Sequence, residues 1–198
     1  TSASAGRKRN CTLIRKPQIM KRYQFLLLDA NVIIELFSLG LWDALTERCD
    51  IHLSDIVVQE ADYYEAASGA HRNIDLSSYI DGGRVRVFSH SASDLLQFKS
   101  SFDRAYLEKL DPGETESLLQ LLSRKEEDLL LCSADAIVFR VLGNLKMSDK
   151  GLSLEEVLHR SGLRRKLKRQ FTREFRLRWS RQGLAESLQG GGFKMPSD

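Results

Sequence analysis

The chain has 198 residues, 42% of them hydrophobic and 29% charged, with a formal net charge of +3. That is the length of one ordinary domain with extensions and the balance of a water-soluble globular protein. No apolar run approaches the roughly 18 residues that a membrane-spanning helix needs, and the basic N-terminal stretch lacks the apolar core of a secretory signal.

From residue 23 the pattern alternates between strand and helix. YQFLLLD (23–29) is a short apolar run ending in a carboxylate, as a buried parallel strand does. Helical spacing follows, broken near Gly40. IHLS (51–54) reads as a second strand, with Ser54 capping a helix over 55–67. A short helix ends at Gly82–Gly83, VRVF (85–88) gives a third strand, and 91–110 reads as one amphipathic helix. Asp111 as cap and Pro112 at the first helical position open another helix. DLLLCSAD (128–135) supplies a fourth strand and the cap of a helix over 136–145. LKMSD (145–149) reads as an edge strand, and 153–162 as the last helix of the body. Such alternation implies a parallel sheet with helices on both faces. The expected layout is a basic extension over 1–22, a body over 23–162, a basic helix over 163–188 and a disordered Gly-rich tail over 189–198.

Sites in open parallel sheets form beyond the C-terminal ends of the strands. Asp29 ends the first strand, and Glu60, Glu114 and Asp135 lie on helices that follow strands or their connections. The last three share helix rows with apolar residues, so burial would make them costly unless something neutralises them. Each also has a purely local role open to it. Asp29 can cap the next helix, although Asn31 serves as well. Asp111 and Glu114 form a capping box. Asp135 suits the helix dipole beside a Ser133 cap, and Glu60 can be a surface acid. A single hard cation such as Mg²⁺, which takes oxygen ligands, replaces four local explanations with one. Glu116 is the alternative to Glu114, but it lies off the apolar row. Three cysteines (Cys11, Cys49, Cys132) are far apart and odd in number, and the histidines are scattered. The expectation is therefore a reduced, cytoplasmic protein without a zinc site.

In this order, LLLDANVII, IVVQEADYY, LDPGETESLLQLL and LLCSADAIVFRVLG resemble the four motifs of PIN domains. The resemblance covers about 23–162, including the ending SLEEVLHRSGL. It implies a three-layer α/β/α sandwich around a central parallel sheet and a Mg²⁺- or Mn²⁺-dependent endoribonuclease, many relatives being toxins of the VapC kind with an antitoxin partner. It assigns the acidic set to Asp29, Glu60, Glu114 and Asp135, with Asp29, Glu114 and Asp135 as metal ligands. Ser133 becomes the polar residue two before the last acid, and Asn31 the asparagine of a D-x-N. Two departures stand out: Asp135 is flanked by Ala134 and Ala136 where many members carry a further acid, and the basic extensions are unlike the bacterial toxins. An inactive PIN fold serving as an RNA-binding or assembly module is the competing reading. A phosphotransfer enzyme of the HAD type would want D-x-D where Asn31 stands, and no Gly-rich phosphate loop is present.

Charge is partitioned along the chain. Residues 1–28 hold seven Lys or Arg and no acid, residues 164–182 hold nine and one acid, and the stretch between holds 13 basic and 24 acidic residues. Clustered cations suit a polyanion partner, so Arg164, Arg165, Lys166, Lys168, Arg169, Arg173, Arg176 and Arg178 are candidate RNA contacts. Among them Leu163, Leu167, Phe171, Phe175 and Trp179 recur every four residues, a row that spirals around a straight helix. Packing against the body or a second subunit, base stacking on RNA, and a membrane-surface helix all remain open for that row.

Overall fold

A computed structural model describes residues 23–66, 68–124 and 128–192; the extension over 1–22 and the end of the tail lie outside them. In chain order the elements are β1 (Tyr23–Leu28), α1 (Ala30–Ser38), α2 (Trp42–Thr46), β2 (Cys49–Ser54) and α3 (Asp55–Glu60). A short ribbon of β3 (Tyr63–Glu65) and β4 (His71–Asn73) follows, then α4 (Ser77–Asp81), β5 (Val85–Phe88), α5 (Ala92–Ser100) and α6 (Arg104–Leu107). The chain continues through α7 (Pro112–Ser123), β6 (Leu131–Cys132), α8 (Ala136–Asn144), β7 (Gly151–Leu152), α9 (Leu154–Arg160) and α10 (Arg173–Leu188).

Five strands form one sheet in the order β5-β2-β1-β6-β7, and every pairing in it is parallel. Successive residues of a strand face opposite sides, and β1 and β6 use both. Leu28 and Cys132 enter one core with α1, α2, α3 and α9, while Leu27 and Leu131 enter a second core with α5, α7 and α8. The expected α/β sandwich with a central parallel sheet is thus present. From β1 the chain moves outward to β2 and β5 on the first face, then returns to β6 and β7 on the second. The direction reverses between β1 and β6, which is where an open parallel sheet leaves a crevice for a site. Among the described residues, no helix is long and apolar enough to cross a membrane.

Four local expectations change. The helix expected over 55–67 stops at Glu60, because Ala61 leaves helical geometry (φ −83°, ψ 61°), and the aromatic Tyr63–Tyr64 pair joins β3, as its β-propensity favours. The single helix over 91–110 is two, interrupted where Asp103 donates its N–H to the Gly192 carbonyl (2.8 Å) and accepts from the Gly192 N–H (2.7 Å). The edge strand is Gly151–Leu152 and not 145–149, since Lys146 takes a positive φ of 58° and a 3-10 turn covers Ser148–Lys150. The C-terminal segment becomes α-helical only at Arg173, after a 3-10 turn over Arg169–Phe171.

Candidate functional site

Asp29 stands just past β1 and is buried, with 7% of its surface exposed. Its Oδ1 accepts the Val32 N–H at 2.7 Å, making Asp29 the cap of α1, a role the sequence allowed to Asn31 as well. Asn31 is exposed in the first turn of that helix. The other oxygen, Oδ2, accepts the Ser133 hydroxyl at 2.6 Å and the Ala134 N–H at 2.8 Å. Ser133 Oγ in turn accepts the Asp135 N–H at 2.9 Å. The ends of β1 and β6 are therefore tied across the crevice through one buried hydroxyl. Ser133 orients the Asp29 carboxylate, and the cap of α8 is Asp135 itself, whose Oδ1 accepts the Ile137 N–H at 2.9 Å.

Glu114 lies in the first turn of α7, 6% exposed. The capping box forms as read: Asp111 Oδ1 accepts the Glu114 N–H at 2.7 Å, and Glu114 Oε2 accepts the Asp111 N–H at 3.2 Å. Glu60 ends α3 with its side chain largely exposed, yet it sits against the same turn of α7. A Cβ at Gly113 would stand 3.0 Å from Glu60 Oε2 and 3.0 Å from Val57 Cγ2. A larger residue there would make Glu60 or Val57 give way by a few tenths of an ångström.

The electrostatics show that these carboxylates sense one another. Burial pushes the Glu114 carboxyl up to about 9, and Asp111, Asp135 and Asp29 add to the rise. Burial likewise raises Asp29, against its three hydrogen bonds, with Asp135 adding to the rise. Glu60 is raised by burial first and then by Asp111 and Asp29. Asp111 is raised by burial and by Asp135. No cation is among the chief influences on Asp29, Glu60 or Glu114. The crevice thus gathers the four predicted acids and adds Asp111, which the sequence reading took only as a cap. The signal for it was its place one helical turn from Glu114.

Glu116 corrects a detail. It lies off the apolar row but is 1% exposed, because α7 buries a second, polar stripe. Its Oε1 accepts the His90 N–H at 2.6 Å, and His90 Nε2 meets Gln120 Oε1 at 2.9 Å. Its carboxyl is raised by burial and by Asp55, not by the crevice acids. It belongs to the β2–β5 side of the sheet.

Carboxylate oxygens are the donors that Mg²⁺ and Mn²⁺ prefer, and uncompensated negative charge is what a cation relieves, so the donor chemistry fits such an ion. Where the side chains stand, however, no three His, Cys, Asp or Glu among the described residues form a group that could hold a metal. Asp29, Glu114 and Asp135 instead turn toward backbone N–H groups at helix starts.

The basic segment divides. Arg176 is 8% exposed and grips Glu156 with two bonds (2.7 and 2.8 Å), donating also to the Ser148 carbonyl at 3.3 Å. It is a structural ion pair and not an RNA contact. Lys168 pairs with Glu35 at 3.1 Å, Arg173 stands 3.5 Å from Glu156, and Arg164 meets His159. Arg165, Lys166, Arg169 and Arg178 are exposed, with the Arg178 guanidinium 5.3 Å from the Trp179 ring centre. The spiral apolar row packs: Leu163, Leu167 and Phe171 join the first core, and Phe175 and Trp179 the second. Phe171 is buried there, and the rings of Phe175 and Trp179 are half-buried.

Comparison with family models, with curated proteins and with solved structures gives no match to this chain.

Proposed function

We propose that this chain is a PIN-type metal-dependent endoribonuclease acting on single-stranded or looped RNA. The observation that supports this most is the convergence of Asp29, Glu60, Glu114 and Asp135 at the reversal point between β1 and β6, with no cation among the chief influences on three of them. Asp29, Glu114 and Asp135 are the residues that would hold Mg²⁺ or Mn²⁺, and doing so requires Glu114 and Asp135 to turn from their capping bonds. Bound there, the ion would lower the pKa of a water and clamp a phosphate. Ser133 holds Asp29 in one orientation through its hydroxyl, and Glu60 and Asp111 extend the negative field over the first turn of α7. The acidic crevice repels RNA when metal-free, so the attraction falls to exposed cations such as Arg165, Lys166, Arg169 and Arg178. An antitoxin-like protein partner belongs to the same reading.

The test is Mn²⁺ binding by calorimetry together with cleavage of a labelled RNA. Asp135→Asn should retain the fold, because Asn caps a helix as well as Asp does, and lose cleavage by at least about 100-fold. Asp29→Asn should also lose cleavage but cost about 1–3 kcal/mol of stability, since its amide would face the Ala134 N–H, donor against donor. Wild-type cleavage by Asp135→Asn, or no Mn²⁺ binding by the wild-type protein, would end the reading.

A further inference from the structure

We propose that the cleft between α1 and the β3–β4 ribbon is a base-stacking subsite for single-stranded RNA, with Tyr63 as its platform; this rests on the nuclease reading above. The cleft has a volume of about 630 Å³, and its lining includes Glu60, Tyr63 and Lys168. Through Glu60 it adjoins the carboxylate crevice. Through Lys168 it adjoins the segment that carries Arg164, Arg165 and Lys166. The cleft thus shares one lining residue with the carboxylate crevice and one with the basic segment.

The ribbon is built to present one aromatic ring. Tyr64 packs toward Phe37 of α1 (ring centres 5.8 Å), and the Ser38 hydroxyl donates to the Glu65 carbonyl at 3.1 Å. Side chains alternate along a strand, so Tyr63 is left outward. It is 54% exposed, a large apolar surface facing water, with His71 beside it at 5.1 Å between ring centres. Such a ring accepts a base on its π-face whatever the base is.

Charge selects which part of a nucleotide enters. Asp62, Glu65 and Glu60 line the cleft, and the charge of Glu35 is matched by Lys168. Those carboxylates repel a phosphate from the interior and leave the neutral base as the part that fits. Lys168, whose side chain is 70% exposed, then meets the backbone at the rim.

The experiment measures binding of a short fluorescein-labelled oligouridylate by anisotropy in EDTA, where cleavage cannot contribute, with Mn²⁺ binding measured in parallel. Tyr63→Ala should weaken RNA binding about 10-fold, within the range base–aromatic stacking supplies. Tyr63→Phe should bind within about twofold of wild type, and both variants should bind Mn²⁺ unchanged. Wild-type RNA affinity in Tyr63→Ala overturns the subsite while leaving the metal reading intact. So does tight binding of an oligoarginine peptide that Tyr63→Ala abolishes and RNA does not displace, because the acidic cleft would then be a site for a cationic polypeptide. Absence of Mn²⁺ binding, by contrast, would fail the nuclease reading itself.

Discussion

Glu114 answers two demands with one side chain, as half of a capping box and as a buried acid whose carboxyl is pushed up to about 9 by burial first and then by Asp111, Asp135 and Asp29. The two roles were equally legible in the sequence, since D-P-G-E at a helix start satisfies both. The company of Glu60 was legible only through the resemblance to PIN motifs, because the contact itself depends on α3 ending at Glu60 and on the small Gly113 beside it. The pH dependence separates the roles. The Glu114 carboxyl rises from the ordinary 4.5 to about 9 on folding, so the folded state holds a proton the unfolded chain has released. Stability is then present below pH 4.5 and is lost as pH climbs toward 9. The metal-free protein should melt at a falling temperature across that window, and Glu114→Gln, which keeps the capping geometry, should flatten the decline. Near pH 8 the variant should melt about 2–8 °C above wild type in EDTA, the shift expected of roughly 1–2 kcal/mol in a domain of this size. Mn²⁺ should raise the wild-type melting temperature and leave the variant nearly unmoved. A variant that follows the wild-type curve at every pH would make Glu114 a cap and nothing more.

At the scale of elements, the apolar strands and the caps were readable because both are local: YQFLLLD needs only its own hydrophobicity, and Ser54 and Asp111 cap the helices beside them. Helix ends set by tertiary contact were not. The break at Asp103 depends on Gly192, nearly ninety residues on, and β7 depends on pairing with β6. The basic segment shows the same limit, since its charge count was plain and its division into buried and exposed cations was not. That division predicts opposite phenotypes. Arg176→Ala leaves the half-buried Glu156 with only Ser153 and the more distant Arg173 and should cost about 1–3 kcal/mol in urea unfolding. Arg165→Ala should change stability by no more than about 0.5 kcal/mol, yet lower the slope of log binding constant against log salt by roughly 0.7 for each lost contact to single-stranded RNA. Equal stabilities in the two variants would contradict the buried pair.

Across the whole molecule, the C-terminal segment is a fastener between layers. It enters the first core at Leu163, Leu167 and Phe171, touches the edge strand β7 and reaches the second core at Phe175 and Trp179. Its hold on α8 depends on two glycines, one on each helix, each set against the other helix's backbone. A Cβ at Gly183 would fall 1.9 Å from the Arg140 carbonyl oxygen, and one at Gly143 would fall 2.1 Å from that of Ser180. Backbone cannot yield as a side-chain tip can, so Gly183→Ala should cost about 3 kcal/mol or more and lower the melting temperature by about 10 °C. Gly190→Ala meets open space and carries only the strain of its φ of +79°, costing about 1 kcal/mol. Matching melting curves for the two would deny the close crossing.

That crossing also orders events in time. The crevice acids run from Asp29 to Asp135, so a ribosome has made all of them well before it makes α10. Until α10 emerges, the outer surface of α8 and its small-residue seam have nothing to close on, and the helix that Asp135 caps stands uncovered on that side. The turns of α10 therefore close the second layer after the crevice acids have been made.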